Sequence, residues 1–132
     1  AFIPIDPRRA YDSRFISPLG ALPANNNRVI SVKDGYQPDT STLNAPDFVP
    51  AGAKAIAYNV TIVNTVGAGF LSVSPGDAAA LGASTINWSQ SGQILANGLV
   101  VKLDTNRQVK VFCGGGTNAA TDFIIDINGY YI

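Results

Sequence analysis

Two segments far apart in the chain alternate apolar and polar residues with a period of two. In Lys54–Val63, the residues Ile56, Tyr58, Val60 and Ile62 fall on one side, and Ala55, Ala57, Asn59 and Thr61 on the other. In the closing segment Asp122–Ile132, the residues Phe123, Ile125 and Ile127 fall on one side, and Ile124, Asp126 and Asn128 on the other. Period two is the signature of a β-strand with one face in a core. The closing segment is the apolar run near a terminus least broken by turn residues, so a sheet is expected to close around it.

The rest of the chain fits the same class. Ala1–Ile5 is apolar and punctuated by Pro4 and Pro7. Proline has no ladder donor, so an edge strand or extended arm is expected there. Arg28–Val32 is a short strand with Val29 and either Ile30 or Val32 available to a core. Phe70–Ser74, with Leu71 and Val73 on one face, reads as the return of a hairpin begun by Lys54–Val63. Ala78–Leu81 is long enough for one helical turn but too short to be a stable helix. Ala83–Trp88 is a short strand, and Ile94–Leu103 a continuous strand with a bulge at Asn97-Gly98. Val109, Val111 and Cys113 alternate in the next strand, and Gly114-Gly115-Gly116-Thr117 reads as a hairpin turn. Lys33–Pro50 is the longest irregular stretch; its spaced Tyr36, Leu43 and Phe48 predict that it packs down on the sheet or on a neighbour. About nine short strands with frequent turn signals predict one all-β domain over residues 1–132, an antiparallel β-sandwich or jelly roll.

Composition excludes several function classes. Lys+Arg and Asp+Glu number 9 each, for a formal net charge of +0. Nucleic-acid binders concentrate basic charge, so no nucleic-acid partner is expected. No apolar run is long enough to span a membrane as a helix, so no membrane insertion is expected. The opening residues do not read as a secretory signal. Weak self-repulsion makes association with copies of the same chain easy. A chain of 132 residues needs no staple, and its single cysteine allows no intrachain disulfide.

Candidate sites are few. Histidine is absent, which excludes Ser-His-Asp and Cys-His catalysis and ordinary zinc sites. Glutamate is absent too, and no aspartate stands in a recognisable acid–base context. Cys113 has no activating base and reads as a core residue. The Gly114–Gly116 run lacks a P-loop lysine and a following helix, so it offers no phosphate cradle. Asp122, Asp126 and Asn128 share a strand face but lack the calcium-loop signature. Neither metal nor cofactor is expected. Arg9, Asp12, Arg14 and Asp126 are read as a structural ion network tying the start of the chain to the closing strand, in preference to a carboxylate or carbohydrate site. Tyr36, Phe48, Trp88, Tyr130 and Tyr131 are the candidates for interface or glycan contacts; core and interface roles are weighed above a glycan platform.

The segment Arg9-Ala10-Tyr11-Asp12-Ser13-Arg14 resembles the R-x-x-D-[ST]-R element of a β-sandwich module of actinobacterial and other bacterial surface proteins. The likeness runs in order through Val49–Thr61, Gly67–Val73 and Ala83–Ser89, and ends at Ile125-Asp126-Ile127-Asn128-Gly129-Tyr130-Tyr131, similar to a V-D-V-x-G-Y-[YF] close. The resemblance implies a secreted or cell-surface setting, often beside enzymes, and similar sequences occur in phage structural proteins. It implies no catalytic residues. Read as a lone module, the chain is expected to be a part that assembles with its own copies or with a larger particle. The expectation is a non-enzymatic structural protein that forms a homo-oligomer and decorates or reinforces an extracellular assembly. Its most concrete form is a capsid decoration (cement) or fibre protein on a phage virion surface; a surface layer is another such assembly. The alternative is a carbohydrate- or cell-wall-binding adhesion module, with a glycan as partner, at a bacterial cell surface.

Overall fold

Strands built on period-two segments must find partners for their main-chain groups and cover for their apolar faces, and two stacked sheets supply both. The computed structural model describes all 132 residues, and its regular structure is entirely β. Eleven strands follow in chain order: β1 (Phe2–Asp12), β2 (Leu22–Pro23), β3 (Asn26–Ser31), β4 (Gly35–Tyr36), β5 (Leu43–Ala45), β6 (Ala55–Val66), β7 (Gly69–Pro75), β8 (Ile86–Trp88), β9 (Leu95–Lys102), β10 (Gln108–Gly115) and β11 (Ala120–Tyr131). One sheet has the order β5-β4-β1-β11-β6-β9, with β2 attached to β11; the other has the order β3-β10-β7-β8. The count exceeds the expected nine because β2, β4 and β5 are two or three residues long and carry no readable period.

The closing strand β11 lies between β1 and β6, so the larger sheet is built around it. Without β2, β4 and β5, the remaining eight strands pair first with last: β1 with β11, β3 with β10, β6 with β9, and β7 with β8. Folding that long antiparallel ribbon over sends alternate pairs to opposite sheets, which is the jelly-roll form of the sandwich. Ile56, Tyr58, Val60 and Ile62 of β6 and Phe123, Ile125 and Ile127 of β11 meet Leu71, Trp88, Val109, Val111 and Cys113 from the other sheet in one buried cluster.

Winding corrects several local expectations. Strands β6 and β7 lie in different sheets, so they are not a hairpin. The glycine run after Cys113 likewise carries the chain from the smaller sheet to the larger and is not a hairpin turn. Periodicity reports which face of a strand is buried; it does not report which strand is its neighbour. Residues 1–5 keep one open side, as expected of an edge, since β11 pairs with β1 on one side and β4 borders the other only further along. The prolines of β1 are tolerated because the β1–β11 register breaks between Pro4 and Arg8, and β4 reaches β1 only at Arg9. Strand β9 is continuous but carries no bulge; Asn97 and Gly98 pair in register with Val60 and Asn59. Ile30 of β3 and Val32 just after it are buried, while Val29 is exposed. No helical turn forms at residues 78–81.

One irregularity in β11 repositions the chain's end. Ile127 pairs with Tyr58, but Gly129 pairs with Ala57, leaving Asn128 as an extra residue. Such a bulge inverts the facing of everything beyond it. Tyr130, opposite Ile56, therefore packs against the core, and Tyr131, opposite Ala55, turns outward. Gly129 is required here, because a Cβ would stand 2.5 Å from the Phe2 ring and 2.8 Å from the Ile3 carbonyl oxygen.

The long connection over residues 33–50 packs down on the sandwich. Val49 is buried and Phe48 packs against the core. Arg107 Nη1 donates to Asp47 Oδ1 at 2.9 Å and to the Val49 carbonyl at 3.0 Å, pinning the loop to the β9–β10 turn. No helix is long and apolar enough to cross a membrane.

Candidate functional site

The polar residues singled out in the sequence meet where β1, its following turn and β11 come together. Pairing of Arg9 with Asp126 across the β1–β11 ladder puts the two side chains opposite each other. Arg9 Nε donates to Asp126 Oδ1 at 3.0 Å and Arg9 Nη2 to Asp126 Oδ2 at 3.2 Å, a side-on bidentate pair. Arg14 forms a second such fork on Asp12, with Nε to Oδ1 at 3.0 Å and Nη2 to Oδ2 at 2.8 Å, and its main-chain N–H also donates to Oδ1. Asp39, from the long loop, joins the halves by accepting from Arg9 Nη1 at 3.4 Å and Arg14 Nη2 at 3.0 Å. Arg9, Asp12, Arg14 and Asp126 thus stand in one network, with Asp39 as a member that sequence reasoning missed. Asp39 sits in a turn with φ near 60°, and nothing local announces that its carboxylate reaches two arginines separated from it by some 25 residues or more.

The hydrogen bond donated to Asp126 raises the Arg9 pKa above its ordinary value, and that donated to Asp12 raises the Arg14 pKa. Both guanidinium groups therefore stay charged, and their forks face protein carboxylates. The Asp12 side chain is fully buried, whereas Asp39 is two-thirds exposed. The first holds an internal charge balance; the second covers it from the solvent side.

The neighbouring residues of the same motif are likewise engaged inside the protein. Tyr11 OH donates to the Pro18 carbonyl and accepts from Arg28 Nη1 at 2.9 Å; the same nitrogen reaches the Gly20 carbonyl at 2.7 Å. Burial pushes the Tyr11 phenol up, an effect opposed by Arg28. Ser13 Oγ donates to Asp122 Oδ1 at 2.7 Å and accepts from the Phe123 N–H at 3.0 Å, while Asn64 Nδ2 donates to Asp122 Oδ2 at 2.9 Å. Asp122 and Asp126 are thus both engaged by protein donors, and Asn128 sits beyond them in the bulge. No group of three metal-ligating side chains is assembled. No buried side-chain nitrogen or oxygen lacks a hydrogen-bond partner.

The five aromatic candidates are dispersed. Trp88 is not a surface residue: it is 3% exposed in the core, and its indole N–H donates to the Val66 carbonyl at 3.2 Å. Gly69 lets it in, since a Cβ there would stand 2.5 Å from the indole ring. The alternation that placed Trp88 on a strand does not reveal that the strand's covered face is the one carrying the ring. Tyr36, Phe48 and Tyr130 are half-buried against the core. Tyr131 packs against Phe2 with ring centroids 4.9 Å apart and planes tilted by 47°, and shares a shallow apolar groove with Lys54, Ala55, Val100 and Lys102. Cys113 is buried, and that burial pushes its thiol up to about 11, so the reactive thiolate is scarce at neutral pH.

The aromatic and amide groups that do line a surface hollow together are others: Phe70, Phe112 and Leu81 beside Asn25, Asn26 and Asn27. No family model matches the chain. No curated protein matches it either.

Proposed function

We propose that the protein is a non-enzymatic structural module that self-associates and decorates or reinforces an extracellular assembly. A capsid decoration (cement) or fibre protein of a phage virion is its most concrete form, in keeping with the resemblance of the Arg9–Arg14 and Ile125–Tyr131 segments to bacterial surface modules and phage structural proteins. The observation that carries this reading is how the polar and apolar groups are distributed. The charged motif is consumed by internal pairing, while Leu95, Leu99 and Val100 of edge strand β9, and Ile94 just before it, are exposed. A protein whose ionisable groups hold its own strands together and whose apolar residues face outward is suited to binding other protein surface. Jelly rolls serve as capsid domains and as lectin domains, and the fold is compatible with the reading.

Light scattering coupled to size exclusion tests it across a concentration series. The expected result is a mass above that of one 13.8 kDa chain; a strict monomer at all concentrations would overturn self-association.

The adhesion-module reading is favoured by one observation, the hollow in which Phe70 and Phe112 stand beside three asparagines. Aromatic faces with amide donors and acceptors suit sugar rings. Saccharide titration followed by NMR, with Phe112→Ala as the control, tests this; shifts confined to the hollow and lost in Phe112→Ala would favour a glycan partner. Trp88→Ala is unsuited to that purpose, because it would empty the core.

A further inference from the structure

Strand β9 ends the larger sheet, and no strand lies beyond it. The phase of its ladder follows from the rung after it, where the Leu103 N–H donates to the Lys54 carbonyl at 2.9 Å. In an antiparallel ladder, alternate residues turn both main-chain groups toward the neighbour. With Leu99 opposite Tyr58 and Val101 opposite Ile56, the residues Leu95, Asn97, Leu99 and Val101 face β6, and Ala96, Gly98, Val100 and Lys102 present their N–H and C=O groups to the open side.

The other sheet edges are blunted, and the side of β1 left open before Arg9 carries Pro4, Asp6, Pro7 and Arg8. Strands β5 and β8 are three residues long, and β3 is polar along much of its length, with Asn26, Asn27, Arg28 and Ser31. Strand β9 has eight residues, no proline and no register break, and its only charge is Lys102 at one end. Leu95 is 40% exposed, Leu99 43% and Val100 55%. Natural edges carry charges, prolines or bulges that stop strand addition, and this one carries none of these along Leu95–Val101.

We infer that β9 is the contact between two copies of this chain, paired antiparallel across a two-fold axis at Leu99 so that the larger sheets of both subunits become continuous. The inference rests on the self-association reading and names its surface. Symmetry and hydrogen-bond phase allow two registers that keep most of the strand overlapped, one centred on Gly98 and one on Leu99. The second sets the two half-exposed Leu99 side chains against each other at a non-hydrogen-bonded position, where side chains approach most closely. It also sets Leu95 against Leu103 of the second copy and pairs Gly98 with Val100 and Ala96 with Lys102. Four pairs exchanging two bonds each give about eight main-chain hydrogen bonds. The charges suit a second copy: Lys102 faces Ala96, about 20 Å along the strand from the other Lys102, well beyond a screening length of about 8 Å. The formal net charge of +0 adds no repulsion between subunits.

The test uses light scattering on the wild type, Val100→Pro and Val29→Pro, together with cross-linking. Proline at Val100 removes a donor that faces the open side and leaves the β6 ladder intact. Val29→Pro does the same at the β3 edge, where the Val32 N–H bond to the Arg107 carbonyl sets the phase. The expected result is a dimer for the wild type and Val29→Pro, and roughly 10- to 100-fold weaker association for Val100→Pro. In a Cys113→Ala background, Leu99→Cys should form a disulfide-linked dimer under mild oxidation, since facing Cα atoms at such a position are about 4.5 Å apart. Leu95→Cys should not. If melting shows Val100→Pro to be unfolded, Leu99→Lys decides, because it sets two charges together at the axis and should abolish the dimer. Undiminished association of the folded Val100→Pro or of Leu99→Lys, or equal cross-linking through position 95, would overturn the β9 contact while leaving self-association standing. A wild-type monomer throughout would overturn both.

Discussion

Two carboxylates in the same network differ in what surrounds them, and that difference sets what each contributes. Asp12 is fully buried and accepts three hydrogen bonds from Arg14; Asp39 is two-thirds exposed and bridges from the solvent side. Removing Asp12 takes away charge-assisted hydrogen bonds made inside the protein, about 1.5–3 kcal/mol each, whereas an exposed bridge contributes about 1 kcal/mol or less. Urea unfolding should therefore show Asp12→Ala losing several times more stability than Asp39→Ala, and equal losses would mean that the network is not internal. Cys113 gives a pH signature. Its thiol rises from an ordinary 9.0 to about 11 in the folded protein. Below pH 9 both states hold the proton. Above it the unfolded chain releases the proton first, so stability falls until the folded thiol also ionises near 11. The loss is roughly 2–3 kcal/mol. Between pH 8 and 10.5 the wild type should lose more stability than Cys113→Ala, in which the buried phenols titrate as before; parallel losses would count against the burial of the thiol.

At the scale of elements, the β11 bulge matters most. Strict alternation would keep Tyr131 on the side of Phe123, Ile125 and Ile127, and the extra residue Asn128 sends Tyr130 inward instead. Gly129 makes room for Phe2 to lie over the strand. Gly129→Ala should displace that ring and lower stability by about 1–3 kcal/mol, with the Phe2 and Tyr131 ring resonances shifting together in NMR spectra. Unchanged ring resonances would show that the two aromatics do not depend on the glycine. The same element-level logic explains the long loop: its apolar Val49 is covered and its Asp47 is held by Arg107, so residues 33–50 belong to the body of the sandwich despite their turn-rich composition.

At the scale of the whole molecule, the pairing of first strand with last governs folding. Phe2 pairs with Tyr131, and Arg9 with Asp126. Few strands find their neighbours locally, so loops must close before most contacts form. Refolding is expected on the millisecond-to-second scale of all-β domains. Trp88, the only tryptophan, sits in the core between the sheets and reports their docking. Stopped-flow fluorescence should show its change developing on that scale; a full change within microseconds would contradict the topology as the rate-setting feature.

What the sequence by itself determined is the class of structure and the buried faces. Period two in β6 and β11 names Ile56, Tyr58, Val60, Ile62, Phe123, Ile125 and Ile127 as core, and all are buried. The arginine and aspartate residues of the β1 motif could also be read as partners, because a guanidinium beside an apolar strand needs a carboxylate. Only the tertiary structure decided which strands are neighbours, that β7 answers β10 and β8 but not β6, that Trp88 lies inside, that Asp39 closes the ion network, and that β9 is left as the open edge. The physical reason is common to all five. Side-chain alternation is fixed within a few residues of chain, whereas neighbours, burial of a particular ring and the exposure of an edge depend on segments that are distant in sequence and meet only when the two sheets close.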